Sequence, residues 1–158
     1  MDIDIIIPIY NAFDFVKKCI ETVIEHTDLT QHTLLLVNDK STDERILPLL
    51  NSFIKENQSL NIILIDNKDN QGFVRTVNIG MQYSHHDVVL LNSDTEVTRN
   101  WLSKIQNCAY SKPAVATVTP LSNNATLASV PIFLAENTIP PGLSVEEYAD
   151  IVEKCSMN

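Results

Sequence analysis

The sequence predicts an α/β fold, a mostly parallel sheet with helices on both faces. Three observations carry this expectation. Short apolar runs alternate with stretches of helical spacing from the first residues onward, an order that builds βαβ units with right-handed crossovers. The runs are nearly unbroken, as expected of strands buried on both faces. Each of the first four gives way to Asn or Asp, as strand-to-helix turns do.

Residues 3–9 form the first run. Residues 13–27 follow as a helix, with Phe13, Val16, Ile20, Val23 and Ile24 on one stripe. The second run, 33–37, ends at Asn38-Asp39. Ser41, Thr42 or Asp43 caps a helix reaching about Asn57, with Pro48 either in its first turn or bending it. The third run, 60–65, ends at Asp66-Asn67, and 71–84 reads as a helix despite Gly80. The fourth, 88–91, ends at Asn92-Ser93-Asp94. Residues 99–110 are helical, with Trp101 and Leu102 as an apolar anchor, and 115–119 is expected as a fifth strand. Pro131, Pro140, Pro141 and Gly142 then mark a long loop, and Ser144 caps a last helix through Lys154. One domain is expected over 1–158, with the βα units in 1–120 and a loop and terminal helix in 121–158. Phe13, Phe15 and Phe53 read as core, and Cys19, Cys108 and Cys155 as small apolar helix residues. The cysteines suggest neither a CxxC motif nor a disulfide framework.

The chain has 20 Asp and Glu against 11 Lys and Arg, a net charge of −9. That balance excludes tracking of a nucleic-acid backbone, which needs clustered cations, and a basic membrane patch. No stretch reaches membrane-spanning length. The acidic start Met1-Asp2-Ile3-Asp4 is unlike a secretory signal. The expected compartment is the cytoplasm, at the inner membrane face if the rest of a parent protein places it there.

Open α/β sheets bind ligands outside the carboxyl ends of their strands. Turn preference alone accounts for Asn11 and Asn67, and less well for several acidic ends gathered on one edge. Glycine is scarce: only Gly72, Gly80 and Gly142 occur, with neither GxGxxG nor a P-loop. A bound diphosphate would therefore lack the usual backbone cradle. Mg²⁺ or Mn²⁺ on one or two carboxylates, completed by phosphate oxygens, is the natural neutraliser. Asp94, just past a buried strand, is the best-placed ligand. His85-His86 reads as a surface turn, since neighbours on an extended chain point apart.

Four segments carry a family resemblance. Ile6-Ile7-Pro8-Ile9-Tyr10-Asn11 resembles the opening strand of family 2 glycosyltransferases, which have the Rossmann-like GT-A fold. Val37-Asn38-Asp39-Lys40-Ser41-Thr42-Asp43 is similar to the family's second-strand motif. Asn70-Gln71-Gly72-Phe73 with Asn78-Ile79-Gly80 resembles its third signature, and Leu91-Asn92-Ser93-Asp94-Thr95-Glu96-Val97 its DxD-type motif. The resemblance implies inverting, metal-dependent transfer of a sugar from a UDP-, GDP- or dTDP-linked donor to a hydroxyl on a glycan or lipid-linked acceptor. Cell-surface polysaccharide or glycan synthesis is the implied setting. Pro8 and Tyr10 would shape the base pocket, Asp39 would accept a hydrogen bond from the base, and Asn70 and Gly72 would lie near the nucleotide. Ser93 would join them, and Asp94 would bind the metal.

The chain also departs from the family pattern. Asn92 stands at the first DxD position, a weaker ligand than a carboxylate. Val77 stands where many members carry Arg, so Arg75 either faces the nucleotide in its place or lies on a solvated helix face. Glu96 would point to the opposite face if the strand continued to it. No residue matches the family's general base: Glu136, Glu146 and Glu147 lack its motif. A piece of a longer protein, binding donor with little transfer alone, is therefore the expectation. Two rival readings are a nucleotidyltransferase, disfavoured by Tyr10-Asn11-Ala12-Phe13 after the first strand, and a non-catalytic nucleotide-sugar or interaction module, favoured by Asn92.

Overall fold

The computed structural model describes residues 1–125 and 127–156. The chain divides into two compact units, Met1–Val97 and a second beginning at Thr98. The first holds β1 (Ile3–Ile9), α1 (Phe13–His26), β2 (Thr33–Asn38), α2 (Ile46–Glu56), β3 (Ile62–Asp66), α3 (Phe73–Tyr83) and β4 (Asp87–Leu90). The second holds α4 (Trp101–Ala109) and α5 (Val145–Cys155). Among the described residues no helix is long and apolar enough to cross a membrane.

The four strands form one parallel sheet in the order β3-β2-β1-β4. The chain steps outward from β1 to β2 to β3, then returns past both to place β4 on the other side of β1. With right-handed crossovers, that reversal puts α1 and α2 on one face and α3 on the other. Ile6, Leu35 and Val37 form a buried cluster with Ile65, Val88 and Ile79 of α3. The alternate residues Ile5, Ile7, Ile9, Leu34 and Leu36 face the opposite side and are equally buried. Gly80 is what lets α3 lie so close: a Cβ there would stand 2.6 Å from Ile6 Cγ2.

Pro8 decides where β4 leaves the sheet. The Ile9 carbonyl accepts from Asp39 N–H and the Ile6 carbonyl from Leu91 N–H, so successive residues of β1 turn alternately to β2 and to β4. Pro8 falls on the β4 side and has no N–H to give. Pairing with β4 accordingly stops at Ile6–Leu90, while pairing with β2 continues to Ile9–Asn38. The chain after Leu91 is thereby released as a loop.

Three expectations are corrected. Residues 115–119 are not a strand. Val115 is exposed, and such a run becomes a strand only where a neighbour supplies ladder partners; the sheet contains none for it. Phe15 is exposed and Phe13 and Phe53 are half-buried, because Phe15 falls off the Val16-Ile20-Val23 stripe. Cys19 is buried, but Cys108 and Cys155 are exposed. The α2 helix starts late, with Pro48 in its first turn. Trp101 and Leu102 are buried. Ser144 and Glu147 form a full capping box at α5.

Candidate functional site at the carboxyl ends of the strands

Side-chain amides stitch the carboxyl ends of β1, β2 and β3 together. Asn11, held at φ 60°, accepts from Thr42 N–H at 2.8 Å and Asp43 N–H at 2.9 Å, and its own N–H donates to Ser41 Oγ at 2.9 Å. Asn38 Nδ2 donates to Asp66 Oδ1 at 2.7 Å, while its Oδ1 accepts from Ser41 Oγ at 2.7 Å. Asn67 N–H donates to the Asn38 carbonyl at 2.9 Å. The turn preference that explains Asn11 and Asn67 in sequence gives no hint of these long-range bonds. Their one sequence signal is the recurrence of Asn at every strand end.

Asp39 is the hub of this edge. Its Oδ1 accepts from Gln71 N–H at 2.7 Å and Asn67 Nδ2 at 3.0 Å, and its Oδ2 accepts from Gly72 N–H at 2.8 Å. The Asn70 side chain donates to the Asp39 carbonyl at 3.1 Å. Burial pushes the carboxyl pKa up, but the bonds from Gln71, Asn67, Thr76 and Gly72 outweigh it and hold the group below its ordinary value. Asp39 thus fixes the turn into α3, where Gly72 adopts φ 76°. Asn70 is exposed and Gly72 half-buried on that turn. Arg75 is exposed in the first turn of α3, while Val77 is buried. Among the described residues, no hydrogen bond or ion pair engages the Arg75 guanidinium.

The loop after β4 presents Asn92 and Asp94 as exposed side chains with Ser93 half-buried between them. A turn closed by Thr95 N–H on the Asn92 carbonyl, at 3.1 Å, shapes it. No hydrogen bond or ion pair among the described residues engages the Asp94 carboxylate. Glu96 pairs loosely with Lys18 at 4.0 Å. Tyr10 is exposed and Pro8 half-buried at the end of β1. The sheet's order reverses between β1 and β4, so Tyr10 and Asp94 flank the switch point, the usual ligand crevice of such folds. The strands bearing Asp39 and Asp94 are two spacings apart, about 10 Å.

Among the described residues no group of three or more His, Cys, Asp or Glu could hold a metal. A divalent ion here fits only the substrate-assisted kind of site, with one carboxylate and the remaining positions taken by phosphate and water. The free, exposed Asp94 suits that role. The three late glutamates all belong to the second unit. Glu146 binds Arg99, Glu147 caps α5, and Glu136 is bridged through its backbone to Asn124.

The sequence profile of glycosyl transferase family 2 matches residues 4–132. The chain is 31% identical over 104 residues to polypeptide N-acetylgalactosaminyltransferase 11 of Xenopus tropicalis, covering 64% of this chain and 17% of that protein. It is 33% identical over 73 residues to poly(ribitol-phosphate) beta-glucosyltransferase of Bacillus spizizenii, covering 46% and 11%. Among solved structures, it resembles the mannosyltransferase PcManGT from Pyrobaculum calidifontis in complex with GDP-Man and Mn²⁺, with a TM-score of 0.66 at 17% identity, covering 72% of this chain and 33% of that one. It also resembles S. aureus TarS 1-349 in complex with UDP-GlcNAc, with a TM-score of 0.59 at 17% identity, covering 80% and 41%. The chain thus spans well under two thirds of each, and the structural likenesses establish the fold. With the profile matched over most of its length and its parallel sheet shared with these enzymes, the chain belongs to glycosyl transferase family 2 and has the GT-A fold.

Proposed function

We propose that this chain carries the donor site of a glycosyltransferase that moves a sugar from a nucleoside diphosphate to a hydroxyl of a glycan or lipid-linked acceptor. Inversion at the anomeric carbon and a place in cell-surface polysaccharide or glycan synthesis are parts of the same reading. The observation that carries it is the free Asp94 carboxylate beside the switch point, two strands from the Asp39 hub.

In this reading the nucleotide lies across the carboxyl edge. Its base rests over the ends of β2 and β3, against Pro8, Tyr10, Asn70 and Gly72. Asp39 is almost fully buried and occupied by the chain's own donors, so it serves the nucleotide chiefly by holding the Gly72 turn in place. The diphosphate reaches the loop after β4, where Asp94 holds Mn²⁺ or Mg²⁺, with Asn92 orienting a water and Ser93 lining the phosphate. Arg75 supplies a cation on the same edge in a chain of net charge −9. When bound, the divalent ion neutralises charge on the departing diphosphate.

Calorimetric titration with UDP-, GDP- and dTDP-sugars, with and without Mn²⁺, tests this. One donor class is expected to bind without metal and more tightly with Mn²⁺, and Asp94→Ala to weaken the binding seen with Mn²⁺ at least roughly tenfold while leaving the melting temperature unchanged. Failure of every nucleotide to bind a folded chain would reject the reading.

A further inference from the structure

The loop that carries Asp94 is not self-supporting. Within it only the Thr95-to-Asn92 turn is closed by backbone. Its two ends are fastened to one helix. At the near end, the Cys19 thiol donates to the Asn92 carbonyl at 3.5 Å. At the far end, Val97 N–H donates to Thr22 Oγ1 at 3.3 Å. Between them, Lys18 reaches Glu96 at 4.0 Å. Residues 18, 19 and 22 lie on one side of α1, the (i, i+4) spacing that brings side chains over a common surface.

Thr22 is oriented for this task. Its hydroxyl proton is committed to the Cys19 carbonyl at 3.0 Å, a back-bond that a helical Thr readily makes. The lone pairs are thereby turned outward, toward Val97 N–H. Thr22 is buried, and so are Cys19 and Val97, and the bond from Val97 N–H to Thr22 is itself buried, where water is a poor substitute. A buried threonine on an otherwise apolar helix face is unneeded for packing, since Val fills the same volume. What Val lacks is the acceptor.

We infer that Thr22, with Cys19, is a positioning residue for the metal site: α1 clamps both ends of residues 92–97 and so fixes where the Asp94 carboxylate stands. This rests on the reading of Asp94 as the metal ligand. Removing the clamp leaves the ligand present but loose, and partners behind a ligand set metal affinity nearly as strongly as the ligand does.

The test titrates Mn²⁺ by electron paramagnetic resonance in the presence of UDP or GDP, on the whole chain and on Thr22→Val, Thr22→Ser and Asp94→Ala. Thr22→Val is expected to weaken Mn²⁺ binding roughly tenfold, and Thr22→Ser, which keeps the acceptor, by less than about twofold. Nucleotide affinity measured without metal is expected to be unchanged in both, a result that mere loss of folding would not give. If Thr22→Val does not fold, Cys19→Ala tests the other end of the clamp, with a loss of about threefold expected. Mn²⁺ affinity unchanged in Thr22→Val or in Cys19→Ala, while Asp94→Ala abolishes it, overturns the inference alone. Mn²⁺ affinity unchanged in Asp94→Ala overturns the reading of the metal site beneath it.

Discussion

Asp39 spends its carboxylate on the chain itself, and that has a measurable pH signature. Its pKa is lowered by folding despite the opposing push of burial. The unfolded chain therefore takes up the proton first. The stabilisation is complete above the unfolded value of about 3.9 and is lost as pH falls through the folded one. Asp4 behaves alike: burial raises it, but Ser84, His85, His86 and Thr33 together bring it below its ordinary value. His32 adds an earlier step. Burial lowers its pKa from 6.5, and its neutral Nδ1 accepts from Ile3 N–H at 3.2 Å, so stability begins to fall once pH drops below that ordinary value. Urea denaturation from about pH 7 to about pH 2 should show both stages. Asp39→Asn should shrink the acid stage, leaving the part due to Asp4, while keeping the His32 stage intact. It should also lower stability at neutral pH by about 1–3 kcal/mol, because its amide would face backbone donors. A profile unchanged in the acid range would contradict the assigned role.

At the scale of elements, close contact between α3 and the sheet depends on one missing side chain. A Gly80→Ala methyl would meet Ile6 Cγ2 at 2.6 Å and Val37 Cγ2 at 3.3 Å, both on buried, branched side chains that cannot swing away. Alanine gains up to about 1 kcal/mol in helix propensity, whereas overpacking costs about 1–3 kcal/mol. A net loss of about 1 kcal/mol by denaturant titration is expected; a gain would mean α3 can move off β1 freely. Strands and helices of the first unit were legible because each carries its own signal: nearly unbroken apolar runs for β1 and β2, and a Val16-Ile20-Val23 stripe for α1. The run at 115–119 shows the limit of such signals, since whether it pairs depends on a neighbour that local pattern does not encode. In the candidate site, the places of Asp39 and Asp94 just after β2 and β4 were legible. The clamp by Thr22 and the stitching by Asn11, Asn38 and Asn67 were not, because they join residues 28 to 75 positions apart.

For the molecule as a whole, the proposed function follows from chain order. Placing β4 beside β1 after two outward steps makes the switch point, Pro8 releases β4 there, and α1 holds the released loop. Cations are scarce in this acidic chain, and glycine loops are absent. In the proposed reading, a donor diphosphate meets its neutralising charge at the loop after β4, with its base end over β2 and β3. The most direct test is amide NMR of the ¹⁵N-labelled chain with the donor sugar that binds, followed by sub-stoichiometric Mn²⁺. Metal-free donor should shift amides in 39–41 and 67–72, and Mn²⁺ should then broaden 92–96 first. Broadening centred instead on Asp2, Asp4 and His86, at the opposite ends of the strands, would contradict the account.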